Sequence, residues 1–257
     1  MNKRLIAFCT YLLMAGILKG DDIDKVYKFA EKCSAGDEEA CTKLAYFARS
    51  NPEAWIREAA VKRITDQSVL AKIARKDENK YVREAATKRL TDLEALAKIA
   101  RKDDDDWVRQ VAVQKPVMTD QDVLYEVATK DENVYVRRAA VQKLEDPIRL
   151  AKIAQKDEEW LVREAAVNNT NLTDQTLLEK FATKDMSDGV RKSAIRKLTD
   201  QSVLIRIVKN EEEFWWVRVA AVWMLTDQDL LANIAEKNEI LEMRSAAKSR
   251  LTMFQDK

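Results

Sequence analysis

The feature that most constrains the fold is a repeat. An apolar residue followed by arginine recurs eight times, and successive arginines lie 26 to 28 residues apart. The pairs, numbered here as repeats one to eight, are Ile56-Arg57, Val82-Arg83, Val108-Arg109, Val136-Arg137, Val162-Arg163, Val190-Arg191, Val217-Arg218 and Met243-Arg244. A period of this length indicates a solenoid or another array, in which each unit packs on its neighbours.

Each repeat predicts two short helices. The first helix carries one apolar stripe, which in repeat two consists of Val82, Ala85, Ala86 and Leu90. An aspartate follows in seven repeats, and proline comes directly after Asp146, where it favours the first position of a helix. These aspartates are therefore predicted N-caps of the second helix: Asp66, Asp92, Asp120, Asp146, Asp174, Asp200 and Asp227.

Composition supports an all-helical chain and excludes several chemistries. The 257 residues include only 4 glycines and 3 prolines, whereas turn-rich β folds need many of both. The absence of histidine excludes histidine acid–base catalysis, Ser-His or Cys-His pairs, and histidine metal sites. A net charge of +1 provides no global field that would attract nucleic acid or an anionic membrane.

The repeats resemble HEAT-like repeats, and their short period is also similar to the leucine-rich repeat variant. The match covers residues 51–257 and rests on an aspartate six residues before the arginine: Asp77/Arg83, Asp103/Arg109, Asp131/Arg137, Asp157/Arg163 and Asp185/Arg191. The resemblance implies that these side chains form a ladder between repeats. Repeat seven departs from this pattern, with Glu212 at the aspartate spacing and an extra residue in its loop. The resemblance also implies an all-α fold, an α-solenoid (right-handed superhelix) of about eight two-helix HEAT-like repeats. Ser245, Lys248 and Ser249 make the last helix more polar than its equivalents, which predicts a polar C-terminal cap on the array of residues 51–257.

The N-terminus predicts an export signal. Lys3 and Arg4 precede an uncharged run over residues 5–18, which is too short to span a bilayer but has the shape of a signal peptide. Residues 1–20 are therefore interpreted as a signal peptide of a periplasmic or secreted protein. The alternative is an apolar first helix packed on the repeats of a cytoplasmic protein.

Residues 21–50 predict a helical hairpin that precedes the array. Gly36 is placed to end one helix and Asp37 to begin the next, which brings Cys33 and Cys41 to facing positions. This segment resembles secreted cysteine-rich repeats related to tetratricopeptide repeats, and that resemblance implies a Cys33–Cys41 disulfide. Two reduced thiols in a small core remain the alternative.

Aromatic residues at irregular positions point to a binding surface. The residue three before the arginine is charged in three repeats but is Trp160 in repeat five and Trp215 in repeat seven. The residue five after it is polar in seven repeats but is Trp223 in repeat seven. With the neighbouring Phe214 and Met224, these residues form the predicted partner site, because exposed aromatic clusters mark interfaces. The alternative is that the last helix buries them.

The favoured function is a non-enzymatic scaffold that binds a protein or peptide, as a monomer and without metal or cofactor. One alternative is an enzyme, because phycobiliprotein lyases and alkylpurine DNA glycosylases also use HEAT-like repeats, although no catalytic constellation stands out here. The other alternative is nucleic-acid binding by the paired bases Lys62-Arg63, Lys88-Arg89 and Arg196-Lys197, which share one position of the repeat. Uncharged residues interrupt that stripe, so no nucleic acid is expected.

Overall fold

The computed structural model describes residues 21–255, and within them the chain is entirely helical, with 17 helices and no strand. Helix α1 covers 21–34 of the described residues. The others are α2 (Glu38–Ser50), α3 (Ala54–Val61), α4 (Gln67–Lys76), α5 (Lys80–Arg89), α6 (Leu93–Lys102), α7 (Asp106–Gln114), α8 (Gln121–Lys130), α9 (Val134–Val141), α10 (Pro147–Lys156), α11 (Trp160–Asn168), α12 (Gln175–Lys184), α13 (Asp188–Ile195), α14 (Gln201–Lys209), α15 (Trp215–Met224), α16 (Gln228–Lys237) and α17 (Leu241–Gln255). The predicted signal peptide, residues 1–20, lies outside the described residues.

The helices pack consecutively within two compact units, Met1–Val123 and Leu124–Lys257. In the first unit, α3, α5 and α7 pack in a row, and in the second unit α9, α11, α13, α15 and α17 do the same. Each helix packs mainly on its near neighbours in the chain, which is the packing of an α-solenoid. The predicted all-α solenoid of about eight helix pairs is confirmed, and the handedness of its superhelix stays a prediction.

The tight helix pairs are offset from the sequence repeat. Helix α4 packs closely on α5, α10 on α11 and α12 on α13, so the second helix of one repeat pairs with the first helix of the next. Three residues, 77–79, join α4 to α5, and Asp77 ends α4 by donating its amide to the carbonyl of Ile73. The structural pair therefore begins at the capping aspartate rather than at the arginine-bearing helix.

The capping aspartates have the predicted role. The carboxylate of Asp92 accepts a hydrogen bond from the amide of Ala95 at 2.7 Å, and Asp146 accepts from the amides of Ile148 and Arg149. Pro147 occupies the first turn of α10, as its fixed φ favours. All seven predicted aspartates accept from an amide two or three residues later.

The arginine column forms the ladder that the HEAT resemblance implies. The Nε and Nη2 atoms of Arg83 donate to the two carboxylate oxygens of Asp103, both at 2.9 Å, while Nη1 donates to the carbonyl of Asp77. Each aspartate thus accepts from the preceding repeat through its side chain and from its own repeat through its carbonyl. The same two-point pairing joins Arg57 to Asp77, Arg137 to Asp157 and Arg163 to Asp185.

Repeat seven departs from the aspartate ladder, and Glu212, which has the aspartate spacing, is not the residue that pairs with Arg191. Arg191 pairs instead with Glu213, with Nη2 and Oε1 2.9 Å apart. Five residues, 210–214, join α14 to α15, whereas three join the corresponding helices of the other repeats, and the residue that reaches Arg191 is shifted by one position. Arg218 donates its Nε to the carbonyl of Val208 at 2.9 Å.

The cysteine hairpin forms as predicted. Gly36 ends α1 with φ at 94°, a left-handed conformation that favours glycine, and Asp37 caps α2 by accepting from the amide of Ala40. The Cα atoms of Cys33 and Cys41 are 4.7 Å apart and their sulfur atoms are at bonding distance. A cysteine pair at disulfide distance fits an extracellular protein.

Candidate functional site

The predicted aromatic residues of repeat seven are exposed. The exposed fraction is 54% for Phe214, 41% for Trp215 and 36% for Trp223, and Met224 is half-buried. Helix α17 packs against α15 but leaves these three rings open to solvent. The alternative interpretation, that the last helix buries these rings, was therefore wrong.

Three rings gather at the start of α15. Phe214 stacks on Trp216 with ring centroids 4.5 Å apart, and Trp215 meets Trp216 edge-on at 5.5 Å. The Nε1 of Trp216 donates to the carboxylate of Asp188 at the start of α13, at 2.6 Å. Trp216 therefore fixes the ring cluster to the preceding repeat, a role that the sequence interpretation missed.

Trp223 extends this aromatic surface along α15. It follows Trp216 by seven residues, which is close to two helical turns, so the two side chains lie on one face about 10 Å apart along the axis. Val219 lies between them and is half-buried. Repeat seven thus presents an apolar strip where the matching positions of repeat two carry Glu84 and Lys88.

Trp160 lies on the other side of α13. Its side chain is 45% exposed, and its ring passes 3.3 Å from where a Cβ atom on Gly189 would stand. Because Gly189 adjoins Asp188, Trp160 and Trp216 flank the same first turn of α13. The structure therefore places Trp160, Phe214 and Trp215 near the first turn of α13. Trp223 and Met224 lie at the far end of α15.

An open cleft of about 690 Å³ lies between α11 and α13. Trp160 and Met186 supply its apolar lining, Gly189 leaves its floor without a side chain, and Lys192 and Arg196 follow along α13. Cavities of this size bind peptide side chains or small molecules in other proteins.

The charged side chains that line the cleft differ in whether they have a hydrogen-bonding or ionic partner. Burial alone would raise the pKa of Asp188, but the hydrogen bond from Trp216 and the charge of Lys192 outweigh it and lower that pKa. Glu164 accepts a hydrogen bond from Ser193 at 3.2 Å. Arg196, by contrast, is exposed, and its guanidinium has no hydrogen bond or salt bridge to any residue within 21–255. Glu158 and Glu164 also line the cleft, so it carries charges of both signs.

The paired bases behind the nucleic-acid alternative are largely engaged by the fold. Lys62 pairs with Glu58 at 2.5 Å and Lys88 with Glu84 at 2.6 Å. The Arg63 guanidinium lies 4.0 Å from the centroid of the Tyr27 ring. Lys62, Lys88 and Arg63 therefore each have a partner within the protein.

The second base of each pair donates to a backbone carbonyl. Arg63 donates to Ala59 in its own helix. Arg89 donates to Ile64 and Lys197 to Val167, both at 2.9 Å and both in the preceding repeat. Burial lowers the pKa of Lys197. Asn169 and Arg250 donate in the same way from repeats five and eight.

Met224 occupies this donor position in repeat seven and has no group that donates a hydrogen bond. The sequence showed the substitution, but only the structure shows which inter-repeat bond it removes.

Neither a protein-family model nor a curated protein sequence matches this chain. No helix within residues 21–255 is long and apolar enough to cross a membrane. In the same range, no group of three or more acidic or cysteine side chains is arranged to hold a metal ion.

Proposed function

We propose that the chain is a non-enzymatic binding scaffold that recognises a protein or peptide through its aromatic surface, defined as Phe214, Trp215, Trp223, Met224 and Trp160. The exposure of rings at positions that other repeats fill with polar residues supports this function. Tryptophan is strongly enriched among residues whose truncation weakens binding most.

Met224 is the observation that carries the proposal. Repeats two and six place an arginine or lysine there and gain a hydrogen bond to the preceding repeat. A charged donor at such a carbonyl stabilises a protein by about 1 to 2 kcal/mol. Methionine cannot donate that hydrogen bond. Its flexible apolar side chain is of the type that binding surfaces use.

We also propose that the array is HEAT-like and that the chain is exported. The bidentate Arg–Asp ladder supports the first proposal, since it reproduces the pairing that this resemblance implies. The Cys33 and Cys41 sulfur atoms, at bonding distance, support the second, because disulfides persist in oxidising compartments.

Two substitutions separate binding from stability. Trp223→Lys introduces the residue of repeats one and two, so we expect an unchanged melting temperature and capture of the partner reduced about tenfold or more. Met224→Lys restores the missing donor, so we expect the melting temperature to rise by about 2 to 4 °C while capture falls. Thermal unfolding and chemical cross-linking in an extract of the native source measure both properties.

The matched control is Trp55→Lys, which removes an equally exposed tryptophan from repeat one, 42% exposed, and is expected to change neither property. A Trp223→Lys protein that melts several degrees lower but captures its partner normally would show that Trp223 belongs to the folding core. That outcome would refute the proposed function.

A further inference from the structure

The arginine ladder lacks a carboxylate between repeats seven and eight. The residue six before the last arginine is Asn238, where repeats two to six have aspartate. Asn238 is half-buried, and its Oδ1 accepts a hydrogen bond from the amide of Ile240 at 3.0 Å. Oδ1 of Asp185 accepts from Ser187 in the same way, so Nδ2 of Asn238 takes the place of the oxygen that Asp185 presents to Arg163. A group that donates hydrogen bonds therefore replaces one that accepts them.

Arg218, the arginine on the other side of this gap, is buried without a counter-ion. It is only 9% exposed, and its Nε donates to the carbonyl of Val208 near the end of α14 instead of to the next repeat. Its Nη1 and Nη2 have no hydrogen bond or salt bridge to any residue within 21–255, although solvent reaches both atoms. Buried charges are normally paired, because burial strongly disfavours an unpaired ion. Two nitrogen donors of a buried cation are therefore free.

The carboxylates near this gap do not pair with Arg218. Glu213, five residues before it, pairs with Arg191. The others are exposed and form no salt bridge with Arg218: Glu211, Glu212, Glu236, Glu239 and Glu242. The region therefore does not attract an anion through its net charge. What it offers are the free donors of Arg218 and Asn238.

The other repeats show which group an arginine in this column takes. Arg163 holds both carboxylate oxygens of Asp185, at 3.0 Å from Nε and 2.9 Å from Nη2. The same two-point pairing with an aspartate is made by Arg57, Arg83 and Arg137, and Arg191 pairs with a glutamate. A guanidinium in these surroundings is thus suited to a planar carboxylate.

We propose that Arg218 and Asn238 bind a carboxylate group of another molecule. The carboxylate accepts from the free Nη atoms of Arg218 and from Nδ2 of Asn238, and it supplies the counter-charge that aspartate supplies in repeats two to six. Two sources have this chemistry, an acidic residue of a protein or peptide partner and a small free carboxylate. Trp215 lies three residues before Arg218, about one helical turn, so an acidic residue of a bound partner is within reach. The site goes beyond the proposed function, and only the first source rests on it.

The test is a titration of the full chain with sodium acetate, followed by NMR of the arginine side chains. Sodium chloride at equal ionic strength and acetamide are the charged and the neutral counterparts. We expect acetate to shift the Arg218 guanidinium signals saturably and to bind about tenfold more tightly than chloride, since only acetate accepts two directed hydrogen bonds. Acetamide should cause no shift. Arg163, already occupied by Asp185, is the control in the same spectrum and should not respond.

Asn238→Asp supplies the missing carboxylate within the ladder. We expect it to abolish the acetate shifts at Arg218 and to raise the melting temperature in chloride by about 2 to 4 °C. The matched control is Asn233→Asp, which makes the same change of charge at an exposed position of α16 and should alter neither property. The parent chain should also melt at a higher temperature in acetate than in chloride, and Arg218→Gln should lose that difference.

Equal responses to acetate and chloride, or no response of Arg218 to acetate, would overturn the inference. An undiminished acetate response in a folded Asn238→Asp protein would overturn it too, and if that variant does not fold, the acetate dependence of Arg218→Gln decides.

Partner capture distinguishes the two sources. Loss of capture by Asn238→Asp but not by Asn233→Asp assigns the carboxylate to the partner, whereas unchanged capture together with lost acetate binding assigns it to a free anion. Failure of the proposed function is read separately, from partner capture by Trp223→Lys.

Discussion

Arg83→Ala lowers the free energy of unfolding by about 3 kcal/mol, because it leaves a buried carboxylate without its charge partner. The side chain of Asp103 is only 4% exposed and receives two hydrogen bonds from Arg83. The substitution also removes the donor to the Asp77 carbonyl, so one link to the next repeat and one link within repeat two are lost together. Urea denaturation followed by circular dichroism measures the change.

Arg244→Ala is the matched control. Arg244 donates to the carbonyls of Asn238 and Glu239, and within residues 21–255 it has no carboxylate partner. Its removal is expected to cost about 1 kcal/mol. A double variant, Arg83→Ala with Asp103→Ala, should regain part of the loss because no orphaned charge remains. Equal midpoints for Arg83→Ala and Arg244→Ala would contradict the ladder's contribution to stability.

Replacing both cysteines by serine is the second change for which we expect a large loss of stability. A Cys33–Cys41 bond closes a loop of eight residues, and the chain-entropy model gives such a link about 2.5 kcal/mol of stability. The Cys33→Ser/Cys41→Ser protein should therefore unfold at a lower urea concentration than the parent chain.

Reductant provides the control for the cysteine variant. Adding a phosphine reductant should lower the midpoint of the parent chain to that of the double variant and leave the variant itself unchanged. A parent chain whose midpoint does not respond to complete reduction would show that the bond does not stabilise the hairpin.

Periodic, local features of the fold were predictable from the sequence. The capping aspartates follow from Asp146 and Pro147 together, since a cap acts within three residues of its own helix. The Arg–Asp ladder was expected only because the spacing of aspartate and arginine resembles that of HEAT-like repeats. The helix pairing and the role of Glu213 were not predictable, because helices of similar length and pattern do not reveal which neighbour they pack on, and one inserted residue changes which side chain reaches an arginine.

The position of the candidate site was predictable from the sequence, but the contacts that hold its side chains in place were not. Irregular residues such as Trp223 stand out in an aligned repeat, and the structure shows that they are exposed. The hydrogen bond from Trp216 to Asp188 and the space over Gly189 depend on side-chain directions in neighbouring repeats. Gly189 was visible as an interruption of the aromatic column, but recognising a cleft required the position of the Trp160 ring.

Site-specific photocross-linking tests the central claim most directly, namely that repeat seven rather than the regular array contacts the partner. A benzoyl-phenylalanine is placed at position 223 in one protein and at position 62, the same place in repeat one, in another. Irradiation in an extract of the native source should yield a discrete cross-linked protein from position 223 and none from position 62. Equal cross-linking at both positions, or none at position 223 while the chain still captures its partner, would contradict the account.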